Sequence, residues 1–287
     1  MSVATFKPEL WASMILASLR NKSVVEFFVN HNYEGEIRGR GTSVHINTMN
    51  DITVSDYTPG SEITYNDLET VDRELVIDKM KYCANKLEDV DKTQAAGDLL
   101  GAATENMGIS LKDTYDKDVF KTMTDSAIAK PANMVGTDSA PIDISGTNYN
   151  NAVDAFIDTL IIADKNNIPT EGRVAAVSPA VAGAIMKSDK RSLTPAFAGF
   201  VSTGYVGNLY GTEIFKTNNL AKSSSDNDLI IVTNPIVTTV ANQLLNMEAL
   251  RAEKHFADYV RALHVYGSKV LYEDGVVGAY LKTKAAG

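Results

Sequence analysis

The sequence predicts a mixed α+β fold, and three observations support this prediction. A stretch from Asp91 to about Met123 carries apolar residues at helical spacing, residues 42–87 alternate apolar and polar positions as strands do, and residues 150–245 alternate predicted helices with short buried strands. Hydrophobic residues make up 44% of the 287 positions, which is enough for a sizeable core. We therefore expect a folded chain that combines a long helix, a hairpin and an α/β unit.

Charge and composition exclude several classes of protein. The net charge of −9 argues against a dedicated nucleic-acid reader, because such proteins present a basic surface. Cys83 is the only cysteine, so an internal disulfide is impossible. No apolar run approaches the roughly twenty residues that a membrane-spanning helix needs, so we expect no membrane partner.

The first segment, residues 1–41, is unusually apolar for a terminus. We expect it to be covered either by its own domain or by a neighbouring subunit, and the sequence leaves both open. Charged residues and glycines at Glu34–Gly41 predict a hinge at its end. The apolar side chains at roughly helical spacing are Phe6, Leu10, Trp11, Ile15, Leu16 and Leu19, followed by Val24, Val25, Phe27, Phe28 and Val29.

Residues Thr42–Leu87 predict a long β-hairpin. Pro59 and Gly60 suit its turn, and an isolated two-stranded ribbon of this length is only marginally stable in water, so the hairpin needs a neighbour to lie on. The apolar positions that alternate with polar ones are Val44, Ile46, Ile52 and Val54 on the outward strand, and Ile63, Tyr65, Leu75, Ile77 and Tyr82 on the far side of the turn.

The helix from Asp91 to about Met123 begins with a capping box formed by Asp91 and Gln94. At 1.5 Å per residue it would measure about 45–50 Å, which is long for a globular domain. A surface helix of poor propensity is the alternative, because the segment contains several glycines. Its apolar stripe consists of Ala96, Leu99, Leu100, Ala103, Met107, Leu111, Tyr115 and Val119.

The remaining chain predicts a loop followed by α/β structure. Lys130–Asn148 is a loop or a connector between strands, and strand signals in Asn246–Lys284 should pair back with earlier parts of the chain. Between them we predict helices at Asn150–Asn166 and Ala180–Lys187 and strands at Arg173–Pro179, Glu213–Lys216 and Asp228–Asn234.

No motif for phosphate binding, metalloprotease or serine hydrolase chemistry occurs, so we expect no catalytic residue, no metal and no cofactor. The histidines lie far apart, and Cys83 within a predicted strand favours a small buried hydrophobe. Four tyrosines in predicted hairpin and loop positions suit either protein interfaces or local packing; they are Tyr57, Tyr65, Tyr205 and Tyr210.

The order of these parts resembles the major capsid protein of tailed bacteriophages, with its HK97-like capsid fold. The most specific stretches are Ile168–Ser188, Gly204–Leu220 and Glu253–Val277, which resemble the proline and arginine lead-in to a strand, the glycine-framed loop and the closing segment of that family. The resemblance implies an N-terminal arm (1–41), an extended β-hairpin or E-loop (42–87), a peripheral domain (88–149 and 246–287) with a spine helix at about 92–123, and an α/β axial domain (150–245).

The same resemblance implies a non-enzymatic major capsid protein of the virion, which assembles in the host cytoplasm as pentamers and hexamers into an icosahedral shell around double-stranded DNA. Because the chain starts directly at its arm, a separate scaffolding protein is implied, together with a portal and non-specific contact with DNA. The alternatives are an encapsulin-like nanocompartment shell and, from another class, an α/β enzyme built on residues 150–245.

The side chains that we expect at inter-subunit contacts are Phe6, Leu10, Trp11, Ile15, Ile52, Val54, Tyr57, Pro59, Ile63, Tyr65, Tyr205 and Tyr210. Some members of the family crosslink through a lysine near the tip of the extended loop. No lysine lies between Tyr57 and Asp67, so we expect no such crosslink.

Overall fold

The computed structural model describes residues 23–33, 43–49, 54, 56–57, 59–60, 62, 67, 70–89, 99–189, 193–194, 204–252 and 255–283. Its helices and strands confirm the predicted α+β class. In chain order they are β1 (Ser43–Met49), β2 (Thr70–Val76), β3 (Lys79–Glu88), α1 (Leu99–Ala129), β4 (Met134–Val135), β5 (Ile142–Asp143), α2 (Asn150–Lys165), β6 (Val174–Val177), α3 (Pro179–Lys187), β7 (Leu193–Thr194), β8 (Tyr205–Leu209), β9 (Thr212–Lys216), β10 (Asp228–Thr233), β11 (Thr238–Arg251), β12 (Ala257–Val270) and β13 (Val277–Lys282).

The predicted hairpin is present. β1 and β2 pair antiparallel, from Ser43 opposite Val76 to Met49 opposite Thr70. The midpoint of this register falls between Pro59 and Gly60, which form a turn, and Gly60 has a φ of +92° that suits glycine.

The hairpin ends earlier than predicted. β2 stops at Val76, whereas β3 leaves the hairpin and pairs antiparallel with β12 in a different sheet. The alternation of β3 continues that of β2 across a two-residue break, so the sequence pattern alone does not separate the two strands.

The long helix α1 covers one face of a three-stranded sheet with the order β11–β12–β3. Its 31 residues span about 46 Å. The predicted start and capping box lie outside the described residues, and the helix continues six residues past the predicted end because Ala127 is still buried and Pro131 follows only later. The predicted stripe is confirmed at four buried positions: Met107, Leu111, Tyr115 and Val119.

The second sheet has eight strands, in the order β4–β13–β10–β6–β9–β8–β7 with β5 also beside β13. Its inner strands β6 and β10 are buried at every position, since α2 and α3 pack on one face and α1 packs on the other. The predicted closing region does pair back with earlier parts of the chain, but it divides between sheets: β12 joins the three-stranded sheet and β13 joins the eight-stranded one.

Residues 23–33 lie against the body of their own domain. Val25 begins a 3-10 turn, and both Val25 and Phe28 are fully buried. The Phe28 ring makes edge contacts with Phe120 at 5.4 Å and with Phe215 at 5.7 Å between centroids. This end of the apolar first segment is therefore covered by its own chain. Phe6, Leu10, Trp11 and Ile15, together with the predicted hinge Glu34–Gly41, lie outside the described residues.

Candidate inter-subunit contact surfaces

In the described part of the chain, the side chains that could bind a metal ion do not cluster. Within the described ranges no three His, Cys, Asp or Glu side chains lie where they could hold a metal ion together. Cys83 is half-buried on β3, less buried than predicted, and this burial raises the pKa of its thiol. Among the helices that the structure describes, none is both long and apolar enough to cross a bilayer.

The root of the hairpin is fixed to the outer face of the three-stranded sheet, the face opposite α1. Gly267 on β12 makes this contact possible, because a Cβ there would lie 2.3 Å from the carbonyl oxygen of Val76. A small core fills the contact; it consists of Val44, Ile46, Leu75, Ile77, Ala241, Val265 and Leu271.

In the hairpin tip, which we define as residues 50–70, two described apolar side chains are exposed to solvent. Val54 is 92% exposed and Tyr57 is 64% exposed, and neither is covered by the described part of the chain. The tip also carries five acidic residues and no lysine or arginine. The described tip residues Asp56, Pro59 and Glu62 are likewise exposed, whereas the expected contact residues Ile52, Ile63 and Tyr65 lie outside the described residues.

A second exposed apolar surface lies on the outer face of the three-stranded sheet, beside the hairpin root. Tyr82, which is 80% exposed, shares this face with Met80, Leu250 and Tyr259. Exposed apolar surface of this kind is typical of protein–protein contacts. The sequence predicted Tyr82 only as a strand residue, since the alternation of β3 does not tell which side faces a partner.

A groove with a volume of about 520 Å³ opens where the hairpin leaves the body, and we call it the root groove. Arg73 of β2 lies on one side, with its guanidinium carbon 6.0 Å from the centroid of the Tyr272 ring. Ile236 is 60% exposed in the groove, and Tyr272 is about half exposed. On the other side, the Nζ of Lys130 lies 3.3 Å from a Glu273 oxygen and 2.9 Å from an Asp274 oxygen. The sequence pattern did not identify the side chains of this groove as contact residues.

The two tyrosines expected at contacts on the α/β unit differ in environment. Tyr205 is half-buried and packs edge-on against Phe215 at 5.4 Å between ring centroids, which is local packing. Tyr210 is half exposed in the turn between β8 and β9, with a φ of +51°.

Comparisons with known proteins agree on one kind of molecule. A family model described as phage capsid protein matches residues 75–279, more than two thirds of the chain. A solved chain of mycobacterium phage Che8 is 29% identical, with 90% of each chain covered and a TM-score of 0.70.

Two further structures share the fold at lower identity. The capsid of cyanophage P-SCSP1u is 17% identical, with 91% of this chain and 89% of that chain covered and a TM-score of 0.67. A virus-like particle from Pyrococcus furiosus is 12% identical, with 94% and 98% covered and a TM-score of 0.57. No curated protein matches the chain.

Proposed function

The chain belongs to the phage capsid protein family and is a major capsid shell protein with the HK97-like fold, and from this premise we propose how its copies build the shell. Copies associate as pentamers and hexamers in an icosahedral head around double-stranded DNA. The observation that carries this proposal is a hairpin whose root is fixed to its own body and whose tip exposes Val54 and Tyr57.

In this proposal the hairpin of one subunit lies across the adjacent subunit. An isolated ribbon gains too little from its own two strands, and burial of the exposed tip side chains against a neighbour supplies the missing apolar contact. Tyr205 would contribute only the exposed edge of its ring. We propose that the remaining expected contact residues are also buried against a neighbouring subunit. They are Phe6, Leu10, Trp11, Ile15, Ile52, Pro59, Ile63, Tyr65 and Tyr210.

We propose the division into arm, extended loop, peripheral domain and axial domain, with the boundaries moved so that they follow the two sheets. The extended loop ends at Val76, because β3 hydrogen-bonds to β12 and so belongs with the peripheral sheet. By the same criterion β11, which starts at Thr238, belongs with the peripheral sheet, and β13 belongs with the eight-stranded sheet of the axial domain, which otherwise begins at residue 150. The arm remains residues 1–41.

Further partners are part of the same proposal. A scaffolding protein and a portal would guide assembly in the host cytoplasm, and the packaged DNA would touch the shell without specific contacts. The net charge of −9 suits a wall that confines DNA without gripping it.

A nanocompartment shell that encloses enzyme cargo is less favoured. The likeness to the virus-like particle of Pyrococcus furiosus, at 12% identity, concerns the fold alone, whereas the chain of phage Che8 is 29% identical. The contents of purified particles distinguish the two functions, because a phage head would contain nucleic acid and a nanocompartment would contain protein cargo. An α/β enzyme is disfavoured because the family is structural.

Shell formation is tested by expression with and without the neighbouring genes, followed by negative-stain electron microscopy and sedimentation. We expect closed shells tens of nanometres across. If only a small soluble oligomer forms, even with scaffold supplied, this result would contradict the proposal.

Deletion of Met49–Asn66 should leave a soluble folded subunit that builds no shells, because the tip contact is lost. Ile161→Ser, which alters an exposed apolar side chain of α2, is the matched control and should assemble normally. Normal shells from the deletion would refute the role of the hairpin.

A further inference from the structure

The charges of the hairpin tip and of the root groove point to a specific contact between copies. Residues 50–70 hold Asp51, Asp56, Glu62, Asp67 and Glu69 and no cation. Three of these acids, Asp56, Glu62 and Asp67, are described and exposed. Such a tip requires a cationic partner if it is to be buried without a large desolvation cost.

Among the arginines that the structure describes, Arg73 differs from the rest in its ion pairing. Of the four arginines in the described ranges, Arg173 pairs with Asp164, Arg251 pairs with Asp89 and Asp258, and Arg261 pairs with Glu248. No such pair is found for Arg73 among these residues, and its Nε is buried without a hydrogen-bond partner. Its guanidinium carbon lies 6.0 Å from the centroid of the Tyr272 ring, and a guanidinium at this place can receive a carboxylate in a bidentate pair.

The other side chains of the root groove also suit contact with the hairpin tip. Ile236 and Tyr272 offer exposed apolar and aromatic surface, which matches Val54 and Tyr57 on either side of Asp56. The acids Glu273 and Asp274 also lie in the groove, and both are paired with Lys130. Arg73 therefore remains the free cation of the groove within the described part of the chain.

We propose that the hairpin tip of one copy docks in the root groove of a second copy, with the Asp56 carboxylate on the Arg73 guanidinium and with Val54 and Tyr57 against Ile236 and Tyr272. This proposal rests on the shell function and adds the receiving site and the ion pair. The occupant belongs to another copy because antiparallel pairing of β1 and β2 directs the tip away from its own root.

A charge reversal tests the docking site. Arg73→Glu places an acid opposite Asp56, and we expect the yield of shells to fall about tenfold or more, because like charges now meet in a partly desolvated contact. Asp56→Arg should cause a similar loss through the tip. The double variant R73E/D56R restores the opposite pair in every contact, and we expect its yield to return to within about threefold of the unaltered chain.

Lys117→Glu is the matched control, because it makes the same change of charge at an exposed position on α1 outside the groove. We expect it to assemble normally. Circular dichroism and thermal unfolding of the subunits show whether a loss of shells reflects misfolding, and recovery in the double variant cannot be explained by misfolding of either single variant.

Normal assembly of R73E, or a loss that D56R does not restore, would overturn the docking site. The hairpin deletion keeps this result separate from the shell function. If the unaltered chain forms shells, the deletion does not and R73E does, then the shell function stands and only the site is wrong.

Discussion

At the scale of single residues, the buried carboxyl group of Asp116 joins the first described segment to α1. The Ser23 hydroxyl donates to one of its oxygens at 2.5 Å, and the Val24 N–H lies 3.4 Å from the other. The Nζ of Lys112, one helical turn earlier, is 3.8 Å away. Burial raises the pKa of Asp116 to about 6, against the opposing effect of these donors and of Lys112. An acid therefore sits in the core at the point where the arm enters the body.

This raised pKa predicts that the folded state becomes less stable as the pH rises. Asp116 is protonated in both folded and unfolded chains well below its ordinary pKa of 3.8, and it is ionised in both above about 6. Between these values the unfolded chain releases the proton first, so the folded state loses about 2–3 kcal/mol as the pH rises. Asp116→Asn removes the titration, and its free energy of unfolding relative to the unaltered subunit should rise by about that amount between pH 4 and pH 7.

Urea unfolding of unassembled subunits at several pH values measures this difference. Asp125→Asn is the matched control, because it removes an exposed carboxylate that pairs with Lys121 on the same helix. A difference between D116N and the unaltered subunit that stays constant with pH would show that Asp116 does not titrate in this window.

The sequence could not identify this residue. Lys112 and Asp116 have the spacing of an ordinary surface ion pair on a helix, and the contacts that bury the carboxylate come from distant parts of the chain, Ser23 and Val24 among them. His264 is similar: its ring packs against the rings of Tyr115 and Tyr266, which also contact each other, and burial lowers its pKa to about 4.

At the scale of elements, the contact between the hairpin root and β12 depends on one glycine. Gly267→Ala would place a Cβ 2.3 Å from the Val76 oxygen and 3.0 Å from the Ile77 Cα, and backbone atoms of a paired strand cannot move aside without breaking hydrogen bonds. We expect the subunit to lose about 1–3 kcal/mol of stability, measured by chemical unfolding, and its hairpin to become more sensitive to protease.

Gly183→Ala provides the comparison. Gly183 lies within α3, and a Cβ there meets nothing within 4 Å. Alanine is the better helix former, so this variant should be neutral or more stable by about 0.5–1 kcal/mol. Equal effects of the two substitutions would mean that close approach of the hairpin is not what Gly267 provides.

Individual elements were predictable because their signals are local. The turn at Pro59 and Gly60, the stripe of α1 and the buried strands β6 and β10 all follow from residue type and spacing. The separation of β3 from the hairpin was not predictable, because the pairing of β3 with β12 joins segments about 180 residues apart. The exposed side chains Tyr82 and Ile236 were missed for a related reason: a pattern tells which positions alternate, but it does not tell which surface another copy will cover.

At the scale of the whole molecule, α1 connects the two sheets. Tyr115 packs against Tyr266 of the three-stranded sheet, and one continuous core around α1 also includes Phe215 and Ile231 of the eight-stranded sheet. The subunit is thereby a body with its own core, so the contacts between copies need only supply association and not folding. In this arrangement single substitutions at the tip or in the root groove should affect assembly while the subunit remains folded.

The absence of a lysine near the hairpin tip leads to a prediction for the mature shell. A crosslink of the kind known in the family requires a lysine at this place, and none lies between Tyr57 and Asp67. Cys83 is the only cysteine, so disulfides could join chains at most in pairs. We expect purified mature particles, boiled in dodecyl sulfate with a reducing agent, to run as a single band at the mass of one subunit. Omission of the reducing agent controls for Cys83, because a dimer band that reduction removes would come from that thiol. Ladders of high mass that resist reduction would contradict the prediction and would mean that a bond between other side chains holds the subunits together.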